Sequence, residues 1–160
     1  MKSFLVVGLE SSCTRYVSQM IALNLGLISD VSEWDGHEKV KNKEYLVVHK
    51  SLPHGSRDNF IDRGFWSGFD VVVVCTRDLN CCLGSKIKNH QRDRQKAVEE
   101  QNTGRRVLAE ILATRPDAVV YSYESAFSTG QIYNHRFMAS VGVIYKRPVE
   151  IEDINSKYFL

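Results

Sequence analysis

The feature that most constrains this chain is the run Val71-Val72-Val73-Val74-Cys75, which follows Phe69-Asp70. Consecutive β-branched residues disfavour a helix, and a strand that is apolar on both alternating faces needs cover on both sides of a sheet. The run therefore reads as a central parallel strand, with Thr76-Arg77-Asp78 at its exit. Three further apolar runs repeat the theme: Phe4 to Val7, Tyr45 to Val48 and Ala118 to Tyr121. Segments with helical recurrence lie between them, so the expected fold class is α/β, a three-layer α/β/α domain with a mainly parallel sheet. At 160 residues, 43% hydrophobic and 25% charged, the chain suits one domain over 1–160 with a single core, residues 148–160 forming an arm. No apolar run is long enough for a membrane span or a signal-peptide core, which predicts an intracellular, cytoplasmic protein with no membrane partner.

The connecting segments sort by periodicity. Tyr16, Val17, Met20, Ile21, Leu23 and Leu25 predict a helix over about 14–26. Residues 30–44 are polar and irregular, with Trp34 and His37 as the distinctive groups, and read either as a substrate-facing loop or as a solvated connection. A short helix is expected within 56–68, where Phe60, Ile61, Phe65 and Trp66 supply core. A long helical region over 80–114, broken near Asn102-Thr103-Gly104 and stopped by Pro116, carries Lys86, Lys88, Arg92, Arg94, Lys96, Arg105 and Arg106. A solvated charged face is the default for such a run; the alternative is an anion-binding face over 86–106 able to hold nucleic-acid phosphates. A helix over 130–140 and a short strand at 141–145 complete the pattern.

Chemistry concentrates at the strand exits. After Phe4 to Val7 come Gly8 and then Ser11, Ser12, Cys13, Thr14 and Arg15, small or hydroxyl-bearing residues where a helix begins. Amide N–H groups, hydroxyls, the helix dipole and Arg15 together suit an oxyanion; a plain Ser/Thr-capped helix is the simpler alternative. The Walker pattern G-x-x-x-x-G-K-[ST] is not met, since Gly8 is followed by Cys13 and Thr14 with no lysine, and no G-x-G-x-x-G is present. The second exit, His49-Lys50-Ser51-Leu52-Pro53-His54-Gly55, places two histidines, a lysine and a hydroxyl in one loop. The four cysteines show no metal-binding spacing and read as reduced structural thiols. Cys13 is the exception, because a helix N-terminus lowers a thiol pKa.

Taken in order, Gly8 to Arg15, His49 to Gly55, Arg77 to Ser85 and Tyr121 to Ser125 resemble the sulfotransferase branch of the P-loop proteins, including its small phage and bacterial members. The resemblance implies a P-loop NTPase-like fold and a cofactor, 3′-phosphoadenosine 5′-phosphosulfate (PAPS), whose 5′-phosphosulfate is held by Ser11, Ser12, Cys13, Thr14 and Arg15. Arg77 and Ser85 match the family's arginine and serine that grip the 3′-phosphate, and Tyr123-Glu124 is similar to its Tyr-Glu-Asp segment near the adenine. His49-Lys50-Ser51-Leu52-Pro53 resembles the Lys-Thr-His-Leu-Pro stretch that carries the base. The implied catalytic residues are His49, Lys50 and Arg15, with His54 second as base and Glu124 or Asp78 behind it. Sulfuryl transfer from PAPS to a hydroxyl acceptor, without a metal, is thus the leading expectation. Its rivals are a divergent kinase using ATP with Mg²⁺ on a nucleoside, nucleotide or modified DNA base, and a non-catalytic nucleotide-binding module.

Overall fold

The computed structural model describes residues 1–37, 39–52, 64–153 and 155–158. Readings that fall on 53–63, including His54, Phe60 and Ile61, lie outside the described residues. The strands are β1 (Lys2–Leu9), β2 (Lys39–Lys41), β3 (Tyr45–Leu52), β4 (Val71–Thr76) and β5 (Val119–Ser122). The α-helices are α1 (Thr14–Asn24), α2 (Leu79–His90), α3 (Arg94–Thr114), α4 (Tyr123–Thr129) and α5 (Gln131–Ser140). They build an α/β fold on one five-stranded sheet of order β2-β3-β1-β4-β5, parallel throughout except for the β2–β3 pair. No helix among the described residues is long and apolar enough to cross a membrane.

The continuous apolar runs find cover on both sides of the sheet. Phe4 and Val6 of β1 pack with Val17, Met20 and Ile21 of α1 and with Phe137 and Met138 of α5. Leu5 and Val7 point the other way, joining Val72, Val74, Trp66 and Ile111 of α3. Phe4 to Val7 are wholly inaccessible to solvent, which accounts for the lack of polar alternation in that strand.

Three local expectations are corrected. The long helical region breaks at residues 91–93 rather than near Gly104. Gln91 turns left-handed (φ 49°), and Asp93 then caps α3 by accepting from the Gln95 and Lys96 amides. Gly104 continues the helix because the helix crosses the sheet there: a Cβ would lie 2.6 Å from Leu9 Cδ2 and 3.3 Å from the Leu52 carbonyl carbon. Residues 141–145 form no strand; Val141 and Val143 are buried after the turn that ends α5. At the exit of β5, Ser122 caps α4 by accepting from the Ser125 amide. The polar stretch 30–44 supplies a short antiparallel edge strand, β2, and buries Trp34 in the core. Of the span 56–68, where a short helix is expected, the described end is a short 3₁₀ helix, Phe65–Gly68.

Described residues after Pro148 pack back onto the domain. Tyr16 donates to the Val149 carbonyl (2.9 Å) and Tyr123 to that of Glu152 (2.6 Å). At the opposite end, Arg115 donates to the carbonyls of Trp66 and Phe69 (both 2.9 Å) and pairs with Asp117, tying the end of α3 to the segment that enters β4.

Gly104→Val is expected to lower stability by about 1–3 kcal/mol in urea denaturation, since its branched side chain must enter a filled crossing. The Arg115 guanidinium holds the Asp117 carboxyl down at about 2. A depressed folded-state pKa contributes stability that is present above the ordinary aspartate range and is lost as pH falls towards that value. The melting-temperature difference between the parent and Asp117→Asn is therefore expected to be full at neutral pH and to vanish on acidification to about pH 2, the folded-state value.

Candidate functional site

The chain leaves β1 in one direction, towards β3, and leaves β4 in the other, towards β5, so a crevice opens beyond the carboxyl ends of β1 and β4. The loop Glu10 to Cys13 occupies it. Gly8 is required at the exit: a Cβ there would lie 2.8 Å from the Cys75 carbonyl oxygen and 2.8 Å from Thr14 Cγ2. Ser11 (φ 69°) and Cys13 (φ 66°) are both left-handed. Between them the Ser12 amide donates to the Leu9 carbonyl at 2.9 Å, while the buried Ser12 hydroxyl has no hydrogen-bond partner among the described residues. A buried polar atom left so is rare and marks a place where a ligand oxygen or water belongs. Thr14 begins α1, buried, and Arg15 next to it is exposed.

The second segment lies in the sheet rather than in a loop. Because β1 pairs with β3 up to Leu9–Leu52, His49, Lys50 and Ser51 are strand residues. Alternation then separates them: His49 and Ser51 face the α1 side, and Lys50 faces the α3 side. His49 Nε2 lies 2.8 Å from Thr14 Oγ1 and 3.3 Å from Ser51 Oγ, and the two hydroxyls are 3.3 Å apart. Its Nδ1 meets the Gly36 carbonyl. Histidine and serine from one strand, β3, and threonine from the start of α1 thus converge beside the loop.

Arg77, at the end of β4, reaches back to the same loop and donates through an Nη to the Ser11 carbonyl (2.8 Å). Its Nε donates to Asn155 Oδ1 (2.5 Å), and the guanidinium lies over the rings of Tyr123 (5.1 Å) and Tyr158 (5.6 Å). Ser85 faces this cluster from α2: Asn89 donates to Ser85 Oγ (3.1 Å) and to the Tyr158 hydroxyl (2.8 Å). The structure therefore gathers Arg77, Ser85 and Tyr123 around Glu152, Asn155 and Tyr158. Glu124 accepts from the Asp78 amide (2.7 Å) and from Asn155 (3.3 Å), while Asp78 caps α2, so both act as structural acceptors here.

Two electrostatic expectations are overturned. Cys13 is not activated: burial, with Cys75 beside it, pushes its thiol well up, and its left-handed backbone at the cap does not offset that cost. Cys82 is likewise pushed up to about 12 by burial. Lys86 does not belong to a solvated face: only 4% exposed, it pairs with Glu10 of the loop (3.1 Å) and Glu100 of α3 (2.5 Å). Lys88, Arg94, Lys96, Arg105 and Arg106 are exposed as expected.

Asn155, Tyr158, Gly36 and the Glu10–Lys86–Glu100 cluster went unnoticed in the sequence, because each acts through residues far away along the chain and carries no motif. Among the described residues no three histidine, cysteine or acidic side chains converge on a metal position. A groove of about 500 Å³, lined by Ser128, Ile132 and Arg136 among others, lies on the α4–α5 surface rather than in the crevice. No family model matches the chain, and no curated protein or solved structure does.

Lys86→Met leaves the Glu10 and Glu100 carboxylates facing each other. It is expected to cost about 3 kcal/mol of unfolding free energy, with partial recovery on adding Glu100→Gln, in a double-mutant cycle read by denaturant unfolding.

Proposed function

We propose that the protein transfers a sulfuryl group from PAPS to a hydroxyl acceptor, with the loop Gly8 to Arg15 holding the 5′-phosphosulfate. One observation carries the reading: a buried Ser12 hydroxyl with no described partner, set between two left-handed loop residues at the head of α1. A tetrahedral anion supplies the acceptor that this hydroxyl lacks, and the helix dipole favours its charge. Arg77 holds the Ser11 carbonyl and thereby the shape of the cradle.

The chain's own residues then divide the work. His49 Nε2, one hydrogen bond from Thr14 at the edge of the loop, is placed to take the proton of an acceptor hydroxyl as it attacks sulfur. Charge developing on the leaving phosphate and on the sulfuryl oxygens is met by the loop amides, Ser12 and Thr14, with Arg15 at the rim. The 3′-phosphate is assigned to Arg77 and Ser85, and the adenine side to Tyr123. Asn155 and Tyr158 lie on those groups, so a nucleotide there must displace part of their contacts. Lys50 faces the other side of β3, and its part is confined to long-range charge. A kinase would need a lysine on the β- and γ-phosphates. The loop has none, and Lys86 beside it is already committed to two carboxylates.

Thermal-shift titration decides among ligands. 3′-Phosphoadenosine 5′-phosphate (PAP) is expected to raise the melting temperature without Mg²⁺. Arg77→Ala is expected to weaken that binding by about 10- to 100-fold, the worth of lost charge-assisted bonds. Tyr158→Ala, which uncovers Arg77 and Ser85, is expected to tighten it. Mg²⁺-dependent ATP turnover with no response to PAP would replace this reading by phosphoryl transfer.

A further inference from the structure

We propose that Gly36 is a positioning residue: its carbonyl fixes the proton of His49 on Nδ1 and leaves Nε2 as the basic nitrogen that faces the loop. The inference rests on the assignment of His49 as proton acceptor and adds the group that makes it one. The Gly36 carbonyl oxygen lies 2.5 Å from Nδ1. A carbonyl has no proton to give, so Nδ1 carries it, and Nε2 accepts from the Thr14 hydroxyl 2.8 Å away. Free histidine in water favours the opposite tautomer, so the arrangement has to be imposed by the protein. Carbonyl, imidazole and hydroxyl stand in the order by which a buried acceptor orients a catalytic histidine elsewhere.

The turn that presents this carbonyl is held from both sides. Gln19 on α1 donates to the carbonyls of Trp34 (2.5 Å) and Val31 (2.8 Å). The buried Trp34 ring donates through Nε1 to the His37 carbonyl (2.9 Å). Gly36 lies between these anchors with φ 82°, and a Cβ on it would come within 2.9 Å of Arg15 Cγ. Glycine is therefore needed twice over: for the left-handed backbone that aims the carbonyl at the ring, and for the approach of the Arg15 stem.

The test is long-range ¹H–¹⁵N NMR of the ¹⁵N-labelled full chain at about pH 8.5, two units above the ordinary imidazole pKa. The resonances that disappear in His49→Gln identify the ring. The expected result is a protonated, pyrrole-type Nδ1 and a pyridine-type Nε2 in the parent, moving to a mixture with protonated Nε2 in Gly36→Ala. Trp34→Phe, which keeps the ring buried but removes the bond to His37, supplies the comparison if Gly36→Ala does not fold. A protonated Nε2 in the parent, or a tautomer unmoved by these substitutions, overturns the proposal. If the tautomers behave as stated but PAP leaves the melting temperature unchanged, the positioning role stands and the sulfuryl reading falls.

Discussion

The complete burial of Phe4 to Val7 is the constraint on which the rest of the structure depends. A strand with no polar side chain over four residues has to sit in the middle of a sheet with a helical layer on each face. β3 and β4 flank it, α1 and α5 cover one side and α3 the other. Once β1 is central, its exit opens where the strand order reverses, and everything chemically distinctive about the chain collects there. The loop owes its position to hydrophobic burial, whereas its shape depends on polar contacts: Arg77 on the Ser11 carbonyl, the Ser12 amide on Leu9, and Lys86 on Glu10.

Those polar contacts divide the site into two halves with different characters. On the β3 side, His49, Thr14 and Ser51 form a compact hydroxyl–imidazole group held by the turn at Gly36. On the β4 side, Arg77 lies between two tyrosine rings, with Asn155 and Glu124 completing its surroundings. A guanidinium held over aromatic faces loses much of its freedom to wander, which fixes the bonds it donates to Ser11 and Asn155. The loop joins the halves, since Ser11 belongs to one and Thr14 to the other.

The strands and the loop were legible in the sequence because their signals are local. Runs of valine, a glycine at a sharp exit and a cluster of hydroxyls each speak through neighbours a few residues away. The same locality explains the errors. His49 to Ser51 read as a loop because their polarity resembles one, but backbone pairing with Val6 to Gly8 outweighs that preference and keeps them in β3. Gly104 read as a helix break because glycine is a poor helix former, yet the space it leaves for Leu9 and Leu52 is what lets α3 approach the sheet. Lys86 read as a surface charge because nothing nearby in the chain announces Glu10 as its partner.

The central position of β1 also bears on how the chain reaches this structure. Its partners are distant: Lys2 pairs with Tyr45 and Phe4 with Val71, so the strand cannot complete either ladder until much of the chain has collapsed. Native contacts of such wide separation make folding slow, and an unpaired β-branched run is a template for association between chains in the meantime. The helix α1 offers an early refuge, since Val17, Met20 and Ile21 follow closely and cover Phe4 and Val6 on one face. Leu5 and Val7 find their helical cover only in α3, much further along the chain, so that face of β1 depends on a contact of wide sequence separation.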